Sequence, residues 1–192
     1  MTDHTLDIIT HLRANRNPEK AAGMKAYMKH QFEFLGLQKA ARAALTNAFM
    51  KEKCKNEIID WKFVDTLWDQ PEREFQYLAL NYLSRMQKQF EKKDIKKLEQ
   101  LIISKSWWDT VDGIAPLVGF LTMMYTELKK SVIKRWIYDD DIWLNRISII
   151  FQLKYKQDTD IAFLVKAILA NAGTKEFFLN KAIGWALREY SK

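Results

Sequence analysis

The chain has little of what breaks helices or cross-links loops. Six Gly and three Pro in 192 residues are too few for the turns of an all-β fold and argue against disordered linkers. A single cysteine, Cys54, excludes an internal disulfide and any Cys-rich zinc site. The three histidines, His4, His11 and His30, lie near the N-terminus without a metal-ligand spacing, so no metal or other cofactor is expected. The longest uncharged run, Gly113 to Thr126, is shorter than the roughly 18 apolar residues a membrane span needs. No basic region precedes an apolar stretch at the start of the chain, so a cytoplasmic protein without a secretory signal is expected. No stretch alternates in polarity as a half-buried strand would, which leaves helices.

What is present is apolar and basic. Hydrophobic residues make up 48% of the chain and aromatic residues 13%, with seven Trp, enough for one sizeable core. A single domain over 1–192 is expected. The net charge of +7 is the footprint of a protein that meets nucleic acid or an anionic membrane, and equally fits an ordinary basic surface. Within the run Lys88 to Lys97, five lysines face Glu91 and Asp94, which reads as a solvated helix end and turn.

Helical periodicity runs along most of the sequence. Leu6, Ile8, Ile9 and Leu12 form one stripe. Asn17-Pro18-Glu19 then starts a second helix, with Asn as N-cap, Pro in the first turn and an acid where the helix dipole favours it; this helix is expected to stop near Gly36. The Ala-rich segment Gln38 to Met50 places Leu37, Ala41, Ala44, Leu45 and Ala48 on a face suited to close packing. Ile58, Trp61, Val64 and Leu67 mark the next helix, which Pro71 ends. Phe75 to Met86 and Ile95 to Ile103 follow. Gly113 and Pro116 are expected to interrupt the helix that begins near Trp108. Five further helical pieces are expected at 117–125, 132–138, 142–155, 161–169 and 177–190, the last two divided by Gly173.

Four aromatic anchors, Phe75, Trp108, Trp143 and Phe178, are spaced 33, 35 and 35 residues apart, a period that marks stacked helical repeats. The fold class expected is therefore all-α, a solenoid of antiparallel helix pairs with a concave basic face. Four residues beyond the anchors stand Ala79, Asp112, Ile147 and Ala182. Three are apolar and one is an acid. Asp112 breaks the rule its sister positions keep, and such a break is where function is expected.

Several blocks together resemble the bacterial DNA alkylation repair glycosylases of the AlkD type. They are Asn17-Pro18-Glu19-Lys20 with Tyr27-Met28-Lys29, Leu67-Trp68-Asp69 with Pro71-Glu72-Arg73-Glu74-Phe75-Gln76, Lys105-Ser106-Trp107-Trp108-Asp109, Ile142-Trp143-Leu144 with Arg146, Phe151-Gln152-Leu153-Lys154-Tyr155-Lys156, and Lys181-Ala182-Ile183-Gly184-Trp185 with Leu187-Arg188-Glu189-Tyr190. The resemblance covers nearly the whole chain. It implies HEAT-like repeats and release of cationic N3- and N7-alkylated purines from double-stranded DNA. It carries two tryptophans and an aspartate of the cleft onto Trp108, Trp185 and Asp112, and a backbone-holding arginine onto Arg146. Arg188 matches a further basic position, and Tyr27, Lys154 and Lys156 complete the expected DNA-contacting set. Relatives usually continue beyond the Leu-Arg-Glu-Tyr block, so the family's last helices are expected to be missing. A monomer is expected, with no obligate protein partner. A non-catalytic protein that binds DNA structure and a helical-repeat scaffold are the alternative readings.

The chemistry fits this residue set. A purine alkylated at N3 or N7 is already cationic and leaves without protonation. What remains is to stabilise the oxocarbenium-like sugar and to present water, which a fixed carboxylate can do. Indole faces favour positive charge, and a guanidinium matches phosphate oxygens.

Overall fold

The computed structural model describes residues 3–192. Those residues are helical apart from loops, turns and one isolated bridge between Glu33 and Glu72, so the all-α reading holds. Packing divides the chain into two compact units, one ending at Gln89 and the other beginning at Phe90.

The first unit contains α1 (Asp3–Ala14), α2 (Pro18–Tyr27), α3 (Lys39–Lys53), α4 (Trp61–Asp69) and α5 (Arg73–Met86). Asn17 caps α2 as its sequence predicts, accepting from the Lys20 N–H at 3.0 Å. The helix ends well before Gly36, because Lys29 and His30 turn into the left-handed region and the His30 N–H closes on the Lys25 carbonyl. Gly36 serves the following loop instead. Three successive N–H groups, of Leu35, Gly36 and Leu37, donate to the buried Glu74 carboxylate at 2.9–3.0 Å. That concavity needs the φ of +84° that Gly36 adopts, and a Cβ there would lie 2.0 Å from the Asn17 carbonyl oxygen.

Two stripes differ from expectation. In α3 the buried residues are Thr46 and Met50, while Ala41, Ala44 and Ala48 are exposed. Alanines permit close approach but bury too little area to choose a face against a methionine. In α4 the core side is Phe63, Val64, Leu67 and Trp68, and Ile58 lies ahead of the helix, 81% exposed. The α5 stripe is as expected, with Phe75, Leu78, Ala79, Tyr82, Leu83 and Met86 all buried.

The second unit contains α6 (Ile95–Ile103), α7 (Trp108–Met124), α8 (Lys134–Trp136), α9 (Ile142–Ile150), α10 (Ile161–Asn171) and α11 (Phe177–Tyr190). A π-helical turn, Lys129–Ile133, leads into α8. Helix α9 lies between α7 and α11 and also packs against α6, α8 and α10. Gly113 and Pro116 do not interrupt α7, which runs through both as one helix. Proline has no N–H, so the carbonyl four residues back, that of Asp112, loses its helical donor. Asp160 caps α10 and is paired with Lys129, whose ammonium holds the carboxyl below its ordinary range.

A repeat signature not foreseen from the anchors is a row of polar residues. The Gln76 side-chain N–H donates to the carbonyls of Leu67, Trp68 and Gln70, at the end of α4. Asn145 does the same for Trp136, Ile137 and Asp139, after α8, and Asn180 reaches the Thr174 carbonyl. Each second helix of a pair thus satisfies backbone groups that end or follow its predecessor.

The α7 and α9 helices meet where α7 has no side chain. A Cβ on Gly119 would lie 2.4 Å from the Phe151 carbonyl oxygen at the end of α9. The Tyr155 hydroxyl donates to the Gly119 carbonyl at 2.6 Å and shares a 2.7 Å bond with Thr122. Gly119→Ala must push backbone from backbone; the expected loss is about 2–3 kcal/mol, visible as a lowered midpoint in thermal or urea unfolding. Burial pushes the Tyr155 phenol up to about 12. The fold therefore favours the neutral phenol, and the stability this adds is complete below the unfolded value near pH 10 and is lost as pH rises toward 12. In unfolding titrations, the stability gap between wild type and Tyr155→Phe is expected to be constant through neutral pH and to shrink above about pH 10.

Candidate nucleic-acid repair site

Asp112 is on α7, Arg146 on α9 and Trp185 on α11, so three adjacent helices of the second unit each supply one part. The Arg146 guanidinium is bidentate on Asp112, Nε to Oδ1 at 2.8 Å and Nη2 to Oδ2 at 2.9 Å. Its remaining nitrogen, Nη1, donates to the Phe178 carbonyl in the first turn of α11. One guanidinium therefore joins all three helices. The pair is asymmetric, with the Arg146 side chain 5% exposed and that of Asp112 20% exposed, so solvent meets the carboxylate end.

A cavity of about 320 Å³ opens beside this carboxylate. Ala115, Pro116, Ile150, Phe151 and Leu153 make its apolar wall, and Asp112, Lys154, Trp185 and Glu189 are the groups in it that carry charge or an indole. Trp185 is half-buried. Trp108 is also half-buried and begins α7, four residues ahead of Asp112 and so on the same helix face, although it does not line the cavity.

The remaining candidates are placed as follows. Arg188 is exposed on α11, and Lys154 and Lys156 are exposed in the turns after α9. Lys156 lines a second, adjoining cavity of about 570 Å³. Tyr27 ends α2 and is 70% exposed, in the first unit. Arg146 has partners within the chain. Anticipated as an arginine that holds the DNA backbone, it is buried and committed to Asp112 and to a backbone carbonyl, because the ion pair forms across helices that the sequence keeps 34 residues apart.

Asp112 lies within α7. The aromatic cluster that ties the starts of α7, α9 and α11 together uses Trp107, with ring centroids 6.0 Å from Trp143 and 5.0 Å from Phe178. Trp107 stands beside the Trp108 anchor and is the indole that meets Trp143 and Phe178 in this cluster. Two adjacent indoles could not be separated by period alone, since 107 and 108 fit it almost equally. Glu189, absent from the expected set, was quoted in the Leu-Arg-Glu-Tyr block; its place four residues after Trp185 is the signal that could have found it.

The chemical content is a carboxylate fixed by a buried cation, with an indole and an apolar wall next to it. Such an arrangement suits a developing positive charge more than a nucleophilic or metal-dependent reaction. Among the described residues, no group of three or more His, Cys, Asp or Glu side chains is placed to hold a metal ion.

A solved structure described as a predicted DNA alkylation repair enzyme from Enterococcus faecalis has the same fold, with a TM-score of 0.84 and 32% sequence identity. The match covers 92% of this chain and 83% of that one. No curated protein matches the chain. The family model for DNA alkylation repair enzymes matches residues 8–192, so the protein belongs to the DNA alkylation repair enzyme family.

Proposed function

We propose that the protein is a DNA glycosylase that hydrolyses the N-glycosidic bond of cationic N3- and N7-alkylated purines in duplex DNA. The observation that carries this reading is the Asp112 carboxylate, held in one orientation by Arg146 and presented to a cavity that Trp185 also lines. An alkylated purine departs as a neutral base, leaving positive charge on the sugar. A carboxylate that is already oriented need not reorganise as that charge appears, which is where electrostatic stabilisation is largest. Water attacks the oxocarbenium-like carbon, and Asp112 is the acceptor placed to orient it.

Arg146 acts through Asp112 in this reading and is a positioning residue. Phosphate contact falls to the exposed side chains of Lys154, Lys156, Arg188 and Tyr27, which have the reach that a buried guanidinium lacks. The cavity wall carries no side-chain amide that would read the Watson–Crick edge of an extruded base. Selectivity then comes from the lability of the cationic base, and neutral lesions are poor substrates.

With duplex DNA containing 7-methylguanine, the wild type is expected to release free base, measured by chromatography, and Asp112→Asn to release it about 10²–10³-fold more slowly. Salt-sensitive duplex binding by both proteins without release by either would replace this reading with a DNA-binding protein that is not catalytic. Arg146→Met leaves a mostly buried carboxylate unpaired and is expected to cost about 3 kcal/mol of stability along with base release. Arg146→Lys is expected to recover little of either, since an ammonium cannot make the two parallel bonds to Asp112 or reach Phe178 at the same time.

A further inference from the structure

The two cavities of the second unit adjoin, and only Leu153 and Glu189 line both. Glu189 therefore stands between them, in the lining of the space that Asp112 also lines. It follows Trp185 by four residues on α11, so indole and carboxylate share a helix face and a cavity.

Charge distinguishes the two acids. Asp112 is matched by Arg146 through two hydrogen bonds in a largely buried setting. Glu189 has an ion pair with Lys192 at 3.0 Å, three residues along, with side chains 36% and 64% exposed. An exposed pair of that kind contributes little and is screened by salt. Lys154 is the other ion of the lining, and its exposed position makes it available to phosphate. Once phosphate engages Lys154, Glu189 keeps only its exposed pair with Lys192 as compensation.

We infer that Glu189 is a specificity-determining residue, a second carboxylate of the Asp112 cavity that favours a positively charged sugar or base and opposes unmodified DNA. The inference rests on the glycosylase reading and extends it. A carboxylate close to a polyanion raises the cost of binding ordinary duplex, and the same carboxylate lowers the cost when the occupant carries positive charge. Glu189 thus adds discrimination at the binding step, in addition to the lability of the base itself. Asp112 acts on the reacting carbon; Glu189 acts on which nucleotide is held there.

The test compares three duplexes that differ at one nucleotide: an unmodified one, one with a neutral tetrahydrofuran abasic site, and one with a pyrrolidine whose ring nitrogen replaces the anomeric carbon and is protonated at neutral pH. Affinities are measured for the full-length wild type, Glu189→Gln and Glu189→Asp at one low salt concentration. The wild type is expected to prefer the pyrrolidine over the tetrahydrofuran duplex. In Glu189→Gln that preference falls by roughly three- to tenfold while binding to unmodified duplex tightens, and Glu189→Asp keeps most of the preference. A purely structural role for Glu189 would weaken all three duplexes together, and that result overturns the inference. Retention of the full preference by Glu189→Gln overturns it as well, with the glycosylase reading intact. A wild type that shows neither the preference nor base release from 7-methylguanine overturns both.

Discussion

The bidentate pair between Arg146 and Asp112 is the interaction on which the second unit's site depends. It is more than a contact between two residues, because the third nitrogen of the guanidinium holds the Phe178 carbonyl. Helix α9 is thereby fixed to both its neighbours at one level. The aromatic cluster of Trp107, Trp143 and Phe178 packs the starts of the same three helices, and the absent side chain of Gly119 lets α7 approach the end of α9. An ion pair of this kind contributes little net stability after desolvation, but its two partners become costly when separated. The geometry around Asp112 is thus enforced by penalty more than by attraction.

The polar row of Gln76, Asn145 and Asn180 fixes three of the joints between paired helices. Each of these amides satisfies backbone carbonyls around the junction behind it, so the joint between paired helices is set by hydrogen bonds as well as by apolar packing. In α7 the position that Ile147 and Ala182 occupy in the sister helices holds an acid, and the Arg146 guanidinium of α9 meets it. The core residues around it, such as Val111, Ile114 and Ile147, remain buried.

Helix identity was written largely in local patterns. The N-cap of α2, the stop before Pro71, the buried stripe of α5 and the extent of α11 all follow from neighbours within one or two turns. Errors arose where the deciding partner is distant in sequence. The end of α2 depends on left-handed Lys29 and His30; histidine is enriched in that conformation but lysine is not, so the pair is a weak stop signal. The buried face of α3 depends on α1 and cannot be read from alanines. The repeat singles out Asp112 and the family resemblance adds Trp185, and the fold brings the two to one cavity. The partner of Arg146 was not legible, because a guanidinium suits a carboxylate and a phosphate equally well and only the fold chooses between them.

Pro116 lies one turn beyond Asp112 and lines the same cavity. By removing the donor to the Asp112 carbonyl it makes α7 a worse helix at the residue the site needs most. Replacing Pro116 with a good helix former would be an early success for any laboratory selection that rewards heat resistance alone. Such a change would return a donor to the Asp112 carbonyl and alter the cavity wall beside the carboxylate. For a protein of this design, thermostability is a poor proxy for fitness, and a library screened on it should hold residue 116 constant.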